Sequence, residues 1–549
     1  MSEEERAVRG PWRVFAATAV GVVAVFLNMS GLTVALPTIT RELGAGPGQA
    51  DWILLGYMLV TTALILVFGR IADIVGRRRL YLAGLVVFTV ATGLAAVSPS
   101  AEFLIAARVV QAVGAAAVIT NNTALLADVF PARTLGRALG WNVAVASVAQ
   151  VAGPLVGGAA TELLGWRGLF VVCVPIGLIA IAASALAVPP SGAGGTRRSG
   201  GVRRLGEVRW SGGAWRSVGV RRFGEVRRSG GAWRSGAGRE PFDLRGALLS
   251  MAMLTALVLA LTPSATATVA GWLPWICGGA AVALFTVFVV VQTRRKHPLV
   301  DVALLRTRAI SLVFAAVLAH AVSTYAVVLL ASLYEQAAGG ASPLKAGVLV
   351  TPVAVGTLIT SAVAGSLTGR FTPRALTTAG LTMTACGLLG FSLSLSTTAV
   401  PFRAVAPFLF LIGAGTGLFM TPSTSALMLG VPADRRGIAN GLRSTTQSVG
   451  YLLSTAIALA FTTTGLSEPA RQAAYEGTLN VLASGELSRF VANIRVTGLV
   501  LTGIAVAGAA ICLAFPKSLR TPRTADAADA AERTTDAGPQ PATPRRTMP

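Results

Sequence analysis

Long apolar runs separated by short polar connections recur along almost the whole chain, and they constrain its fold more than any other feature. Each approaches or exceeds about 20 residues, the length that a helix needs to cross the hydrocarbon of a membrane. An α-helix satisfies its own backbone hydrogen bonds there. Only 13% of the residues are charged, against about 25% in soluble domains. We therefore predict an all-α integral membrane protein with fourteen spans, at 13–36, 52–70, 79–98, 103–126, 138–161, 168–188, 244–262, 272–292, 309–331, 345–368, 375–396, 404–429, 438–462 and 493–515.

Arginines distinguish the two sides of the predicted membrane. Alternate connections contain clusters of them, whereas the connections between are poor in cations: 99–102 carries only Glu102, and 263–271 carries no charge. Because Lys and Arg collect in cytoplasmic loops, we expect both termini in the cytoplasm, with a short leading segment, 1–12, and a disordered tail, 516–549. Arginine makes up 43 of the 46 basic residues, which indicates GC-rich codons and a bacterial cytoplasmic membrane.

The longest connection, 189–243, contains a tandem copy: GVRRLGEVRWSGGAWRS at 201–217 and GVRRFGEVRRSGGAWRS at 219–235. Its net positive charge agrees with a cytoplasmic loop beside anionic lipid. Its frequent glycines offer neither a helix nor a stacking platform for nucleic acid, so we expect no nucleic-acid partner. The predicted units on either side are a six-helix bundle at 13–188, two additional spans at 244–292 and a second six-helix bundle at 293–515.

Charged and glycine-rich stretches interrupt this apolar pattern at three places. GRIADIVGRRR begins at Gly69; its glycines, Gly69 and Gly76, allow close backbone approach, and Asp73 can pair with an arginine. Arg77 and Arg78 hold the turn on the cytoplasmic side, which topology alone would also explain. LIAARVVQAVGAAA places Arg108 and Gln111 near one helix face, and AQVAGPLVGG at 149–158 contains Gly153, Pro154, Gly157 and Gly158.

The stretch from Gly69 resembles the signature loop between spans two and three of the major facilitator superfamily, and 149–158 resembles the antiporter motif of its exporting members. WRGLFVVCVPIG at 166–177 and SPLKAGVLVTP at 342–352 are similar to the fourteen-span drug:proton antiporter branch. This resemblance implies the major facilitator fold, with the substrate site between two six-helix bundles. It also implies a gating role for the motif that begins at Gly69 and for the glycines and proline of 149–158.

The resemblance also implies a transporter rather than an enzyme, which exports small amphipathic drug-like or antibiotic-like compounds as a monomer. A proton gradient, and no cofactor or metal, would supply the energy. Its partners would be the small-molecule substrate, protons and the lipid bilayer. A facilitator without proton coupling, or an uptake symporter on the same fold, remains the nearest alternative. A membrane sensor that has lost transport is a further one.

The chain departs from the resemblance where related exporters commonly carry an aspartate, because Asn28 stands at that position. A neutral amide cannot titrate, and no Asp or Glu lies near the centre of a predicted span. His320 is the deep residue whose usual pKa suits proton exchange, so we predict it as the coupling site. A carboxylate deeper than the predicted spans suggest is the alternative, and His320 could equally be a packing residue.

Two deep arginines bear on the substrate. Arg108 and Arg443 border the predicted cavity without acidic counterparts, so lipophilic cations should be repelled and neutral or anionic compounds accepted. Asn440, Arg443 and Gln447 follow the i, i+3, i+7 spacing of one helix face. The predicted cavity residues are Asn28, Tyr57, Arg108, Gln111, Asn440, Arg443 and Gln447.

Overall fold

The computed structural model describes residues 3–189, 243–261, 271–294, 307–368, 370–397, 401–431, 436–481 and 484–516. The tandem copy lies outside these residues. All regular elements in the described ranges are helical, apart from turns and bends. The helices are α1 Glu3–Leu43, α2 Pro47–Val75, α3 Arg77–Ala96, α4 Ala101–Val129, α5 Ala132–Leu164, α6 Arg167–Ala187, α7 Leu244–Leu261, α8 Leu273–Arg294, α9 Arg308–Thr324, α10 Val327–Ala337, α11 Pro343–Leu349, α12 Thr351–Leu367, α13 Pro373–Ser394, α14 Phe402–Gly430, α15 Arg436–Thr462, α16 Glu468–Glu476 and α17 Ser484–Leu513, with a 3₁₀ turn at Leu479–Val481.

The prediction of an all-α fold is confirmed, and the described helices accommodate the fourteen predicted spans. Twelve described segments are long and apolar enough to cross a membrane. Two of these are broken helices, since α9 and α10 form one segment and α11 and α12 form another. The remaining two spans are α7, which has only 18 residues, and α15, which has 27 residues but a polar face. Proline at the second position of α12, in Thr351–Pro352, marks the second break.

The helices form two bundles and a peripheral pair. In the first bundle α1 packs against α5 and α6, α2 against α4, and α3 against α4 and α6. In the second, α14 packs against α12 and α13, and α9 against α15 and α17. Helix α7 pairs with α8 and touches α2 and α15. Helix α8 leaves Trp275 83% exposed, as expected of a surface that faces lipid.

The connections between helices define two faces of the molecule. We call the basic face the one that carries the α2–α3 turn at Gly76 and the α4–α5 turn at Phe130. At Gly76 the backbone has φ 101°, a conformation that favours glycine. The far face carries the α1–α2 and α5–α6 connections and the short helix α16. These two faces are the reference points for the site.

Candidate functional site

A cavity lies between the two bundles, in the half of the helices nearer the basic face. It holds about 1000 Å³ of empty space, including its mouth. Helices α1, α2, α4 and α5 line it from one bundle, and α14 and α15 line it from the other. Within the described part of the chain, its lining contains no Asp, Glu, Lys or His, and Arg443 is its one charged residue. The cavity is therefore a polar and apolar space with a single cation.

Arg443 enters the cavity from α15 and is held by two neutral side chains of the same helix. Its Nε donates to Asn440 Oδ1 at 3.3 Å, and its Nη1 donates to Gln447 Oε1 at 3.1 Å. The side chain is only 4% exposed. The predicted stripe of Asn440, Arg443 and Gln447 therefore lies together on the cavity wall. Both of its bonds go to amide oxygens, and the described structure gives Arg443 no ion pair.

Arg108 lies behind the wall rather than in it. Its Nη1 donates to Asn28 Oδ1 at 2.7 Å and also to Gln111 Oε1. Its guanidinium carbon lies 3.9 Å from the centre of the Tyr57 ring, and Tyr57 does line the cavity. Gln111 in turn donates to Thr92 at 2.6 Å. The structure thus brings four predicted residues together, Asn28, Tyr57, Arg108 and Gln111, of which only Tyr57 borders the cavity.

The end of the cavity nearest the membrane centre is closed by contacts between the bundles. Gln447 donates to Tyr451 Oη at 2.5 Å, and that hydroxyl lies 3.5 Å from Gln150 Oε1 on α5. The Tyr451 ring stacks on Tyr325, with centres 4.3 Å apart. Thr455 makes a further contact across the bundles, to the sulfur of Met58 at 3.5 Å. Tyr57 and Tyr451, both largely buried, thus border the closed end of the cavity.

His320 lies in α9, away from the described cavity lining. Its ring stacks on Phe419 of α14 at 4.4 Å between centres, with an angle of 9° between the planes. It is 2% exposed, and its Nε2 makes no hydrogen bond. This environment suits the packing alternative as well as a proton site, so the coupling role of His320 stays a prediction.

The charged motif at the α2–α3 turn makes its described contacts within the first bundle. Arg77 donates to Asp128 Oδ1 of α4 at 2.5 Å, and Arg78 donates to the Ala185 carbonyl of α6 at 2.8 Å. Gly69 leaves ordinary space, since an added Cβ would lie 3.6 Å from Thr120. The side chain of Asp73 lies outside the described part. The gating role of this motif is untested.

The glycine motif of α5 packs on two partners. A Cβ at Gly157 would lie 2.6 Å from the Gly31 carbonyl of α1, and one at Gly153 would overlap Ser30 Oγ. On the other side, a Cβ at Gly158 would lie 2.5 Å from the Pro343 carbonyl of α11. A Cβ at Gly347 would likewise lie 2.6 Å from the Pro154 carbonyl. The motif therefore allows backbone contact both inside the first bundle and across to the second, towards the far face.

Sequence reasoning missed a buried carboxylate at the far face. Asp51, in the first turns of α2, is 1% exposed and accepts a hydrogen bond from Tyr475 Oη of α16 at 2.5 Å. Burial and the Asp51 charge raise the pKa of Tyr475 well above its usual value. Asp51 precedes the predicted span that starts at 52, so its depth was underestimated. No sequence signal indicated that α16 would reach it.

Two more hydrogen bonds hold the second bundle against the first at the far face. Gln472 of α16 donates to the Ala45 carbonyl at 2.9 Å, and Gln336 of α10 donates to the Val34 carbonyl at 3.1 Å. With the α5 glycines and the Asp51–Tyr475 bond, they close this side. In the described residues no cluster of three or more His, Cys, Asp or Glu side chains could hold a metal ion.

Comparison with known proteins adds a family and several relatives. The family model for the Major Facilitator Superfamily matches residues 18–294, 275–455 and 312–545. The chain is 29% identical over 448 residues to the multidrug resistance protein Stp of Mycobacterium tuberculosis, covering 80% of this chain and 74% of that protein. It is 26% identical over 452 residues to the tetracenomycin C resistance and export protein of Streptomyces glaucescens, covering 81% and 75%. It is 25% identical over 491 residues to the riboflavin transporter RibZ of Clostridioides difficile, covering 89% and 96%.

Proposed function

The chain belongs to the Major Facilitator Superfamily, and from that premise we propose that it is a secondary active exporter of small amphipathic compounds. One observation carries the proposal: the cavity lies between the two bundles near the basic face, while hydrogen bonds and glycine contacts join the bundles at the far face. A carrier that works by alternating access has this form when it loads from one side. The relatives named for multidrug resistance and for tetracenomycin C resistance and export support the direction.

The orientation follows from charge. Arg77 and Arg78 lie on the basic face, and cationic loops face the cytoplasm. The cavity then opens to the cytoplasm of a bacterial cell, and both termini lie on that side. An exporter in this state is ready to take up its cargo.

The source of energy is proposed to be the proton gradient. In everted membrane vesicles, ATP-driven acidification of the lumen should drive accumulation of transported compounds, and a protonophore should abolish it. The panel should contain neutral, anionic and cationic amphiphiles. Accumulation that is indifferent to the protonophore would contradict proton antiport.

The coupling site can be tested at His320. Replacement by Gln removes the titrating ring, so we expect His320→Gln to lose proton-dependent accumulation while it still inserts into the membrane. His297, the other histidine of the chain, supplies the matched control, and His297→Gln should behave like the wild type. Unchanged proton coupling in His320→Gln would show that the histidine is a packing residue. Asp51 would then be the next residue to test as the proton site.

A second candidate is a transporter on the same fold that does not use protons. The name of the riboflavin transporter among the relatives states neither export nor proton coupling, in contrast to the resistance and export protein of Streptomyces glaucescens, whose name states export. In the same vesicles such a transporter would equilibrate its compound without a gradient. The protonophore experiment therefore separates the two candidates.

A further inference from the structure

We infer that Arg443 binds an anionic oxygen of the cargo, so that the cavity selects amphipathic compounds in which an aromatic body carries a carboxylate or phenolate. The inference rests on the proposed function in one respect: the cavity is taken as the transport site. It goes further by naming the residue that selects the cargo and the chemical group that it recognises.

The hydrogen bonds of Arg443 leave room for a ligand. A guanidinium has five N–H donors in a rigid fork. Nε and Nη1 each donate one bond, to Asn440 and Gln447, and the described residues give Nη2 no hydrogen bond. The two amides hold the plane of the guanidinium fixed while one edge stays available. A fixed fork of this kind matches a carboxylate.

The charge of Arg443 also lacks compensation. Its described hydrogen-bond partners are uncharged, and the described cavity lining contains no carboxylate. A buried cation without a counter-charge costs several kcal/mol, and an arginine within a membrane span normally has a partner. An anionic cargo would be that partner, present only in the loaded state. A cationic cargo would meet repulsion at the same place.

Arg108 is a poorer candidate for this contact, although it is also buried and also held by amides. It does not line the cavity, and the ring of Tyr57 covers the face of its guanidinium. Asn28 and Gln111 hold it from behind the wall. Its charge contributes to the potential of the cavity without touching the cargo.

The other residues that line the cavity account for the aromatic part of the inferred cargo. Phe26, Met29 and Met58 form an apolar wall on α1 and α2, and the rings of Tyr57 and Tyr451 lie at the closed end. The tyrosine rings already contact Arg108 and Tyr325. The Phe26 ring and the adaptable thioethers of Met29 and Met58 therefore supply the apolar surface for a flat aromatic body. Arg443 and Tyr451 are both joined to Gln447. The anion contact therefore lies beside the closed, aromatic end of the cavity.

The test uses three isosteric fluorescent probes that differ in charge: 9-anthracenecarboxylate, 9-anthracenecarboxamide and 9-(aminomethyl)anthracene. Binding is measured by fluorescence anisotropy to the full-length protein in nanodiscs of phosphatidylcholine, so that no anionic lipid competes. We expect the carboxylate to bind about tenfold or more tightly than the carboxamide, because a hydrogen bond to a charged group exceeds a neutral one. The amine should bind least.

Three variants connect the preference to its residue. Arg443→Gln should lower the affinity for the carboxylate to that for the carboxamide. Unchanged binding of the carboxamide would show that the cavity is intact. Arg443→Lys should keep part of the preference, since it retains charge but not the fork. Arg403→Gln, an exposed arginine at the start of α14 on the far face, should match the wild type.

Equal binding of carboxylate and carboxamide, stronger binding of the amine, or a preference that survives Arg443→Gln would each overturn the inference, as would no detectable binding of the carboxylate. Failure of the proposed function is seen separately. Proton-driven accumulation of the carboxamide in vesicles without an anion preference would leave export standing and remove only the role of Arg443. An anion preference without any accumulation would leave an anion site and remove export.

Discussion

The two halves of the bundle interface are built differently, although the same two bundles form both. Towards the basic face, polar side chains such as Asn440 and Gln447 hold a single cation beside open space. Towards the far face, the bundles meet through backbone at Gly158 and Pro343 and through the Tyr475–Asp51 bond. Open space in one half is thus balanced by close packing in the other. The contrast teaches that the far face is the part that must separate during transport.

The largest effect should come from filling the glycine contact. A methyl group at Gly158 would lie 2.5 Å from the Pro343 carbonyl, and overpacking costs about 1–3 kcal/mol. Since Pro343 belongs to the other bundle, Gly158→Ala should shift the balance between states by roughly 5- to 150-fold away from far-face closure. Transport in vesicles should fall accordingly, and proton leak should rise.

Gly140 supplies the matched control for this prediction. It lies in the same helix, and an added Cβ meets nothing within 4 Å. Gly140→Ala therefore reports the gain in helix propensity alone, about 1 kcal/mol. Equal transport by Gly158→Ala and Gly140→Ala would show that the contact between Gly158 and Pro343 does not contribute to closure of the far face.

A smaller effect is expected from the hydrogen bond between Tyr475 and Asp51. A bond to a charged group contributes about 1.5–3 kcal/mol, so Tyr475→Phe should lower the thermal midpoint of the protein in detergent. A double-mutant cycle with Asp51→Asn should give a coupling energy of at least about 0.5 kcal/mol. The bond from Tyr334 Oη to the Ser396 carbonyl, 2.7 Å long and inside one bundle, offers the comparison. Additive effects of Tyr475→Phe and Asp51→Asn would show that the hydrogen bond between the two residues does not hold the far face closed.

The smallest effect should follow removal of 201–235. These residues follow α6 and precede α7 in the sequence, outside the described residues, and their composition indicates a spacer. A deletion protein that inserts normally should accumulate cargo in vesicles within about twofold of the wild type. Loss of transport in such a protein would show that the tandem copy takes part in transport, in addition to the contacts at the two faces.

Much of the fold could be predicted from sequence because each span must be apolar over its own length. Helix α15 shows the limit of that signal, since its polar face lowers its hydropathy. Its span, 438–462, was still predicted as an apolar run, and the spacing of Asn440, Arg443 and Gln447 predicted the face that the structure places on the cavity wall. Arg108 was expected at the cavity as well. Its depth could be predicted, but whether the ring of Tyr57 would cover it depends on a contact between α2 and α4.

Contacts that join distant parts of the chain explain the remaining differences. Asp51 and Tyr475 are 424 residues apart, and neither has a local pattern that pairs them. The breaks after Thr324 and Leu349 likewise lie within apolar runs that read as continuous. Periodicity reports which face of a helix is buried, and it is silent about which helix covers that face.

The uncompensated charge of Arg443 has an electrical consequence. A bacterial membrane is negative inside, and moving one elementary charge through the full potential is worth about 2.3 kcal/mol per 100 mV. With its cavity empty the protein carries a positive charge within this field, so the potential favours the state that faces the cytoplasm. A bound monoanion cancels the charge of Arg443 and so lowers this bias in the loaded carrier. The membrane voltage would then hold the empty carrier where cargo is found and release it once cargo is bound.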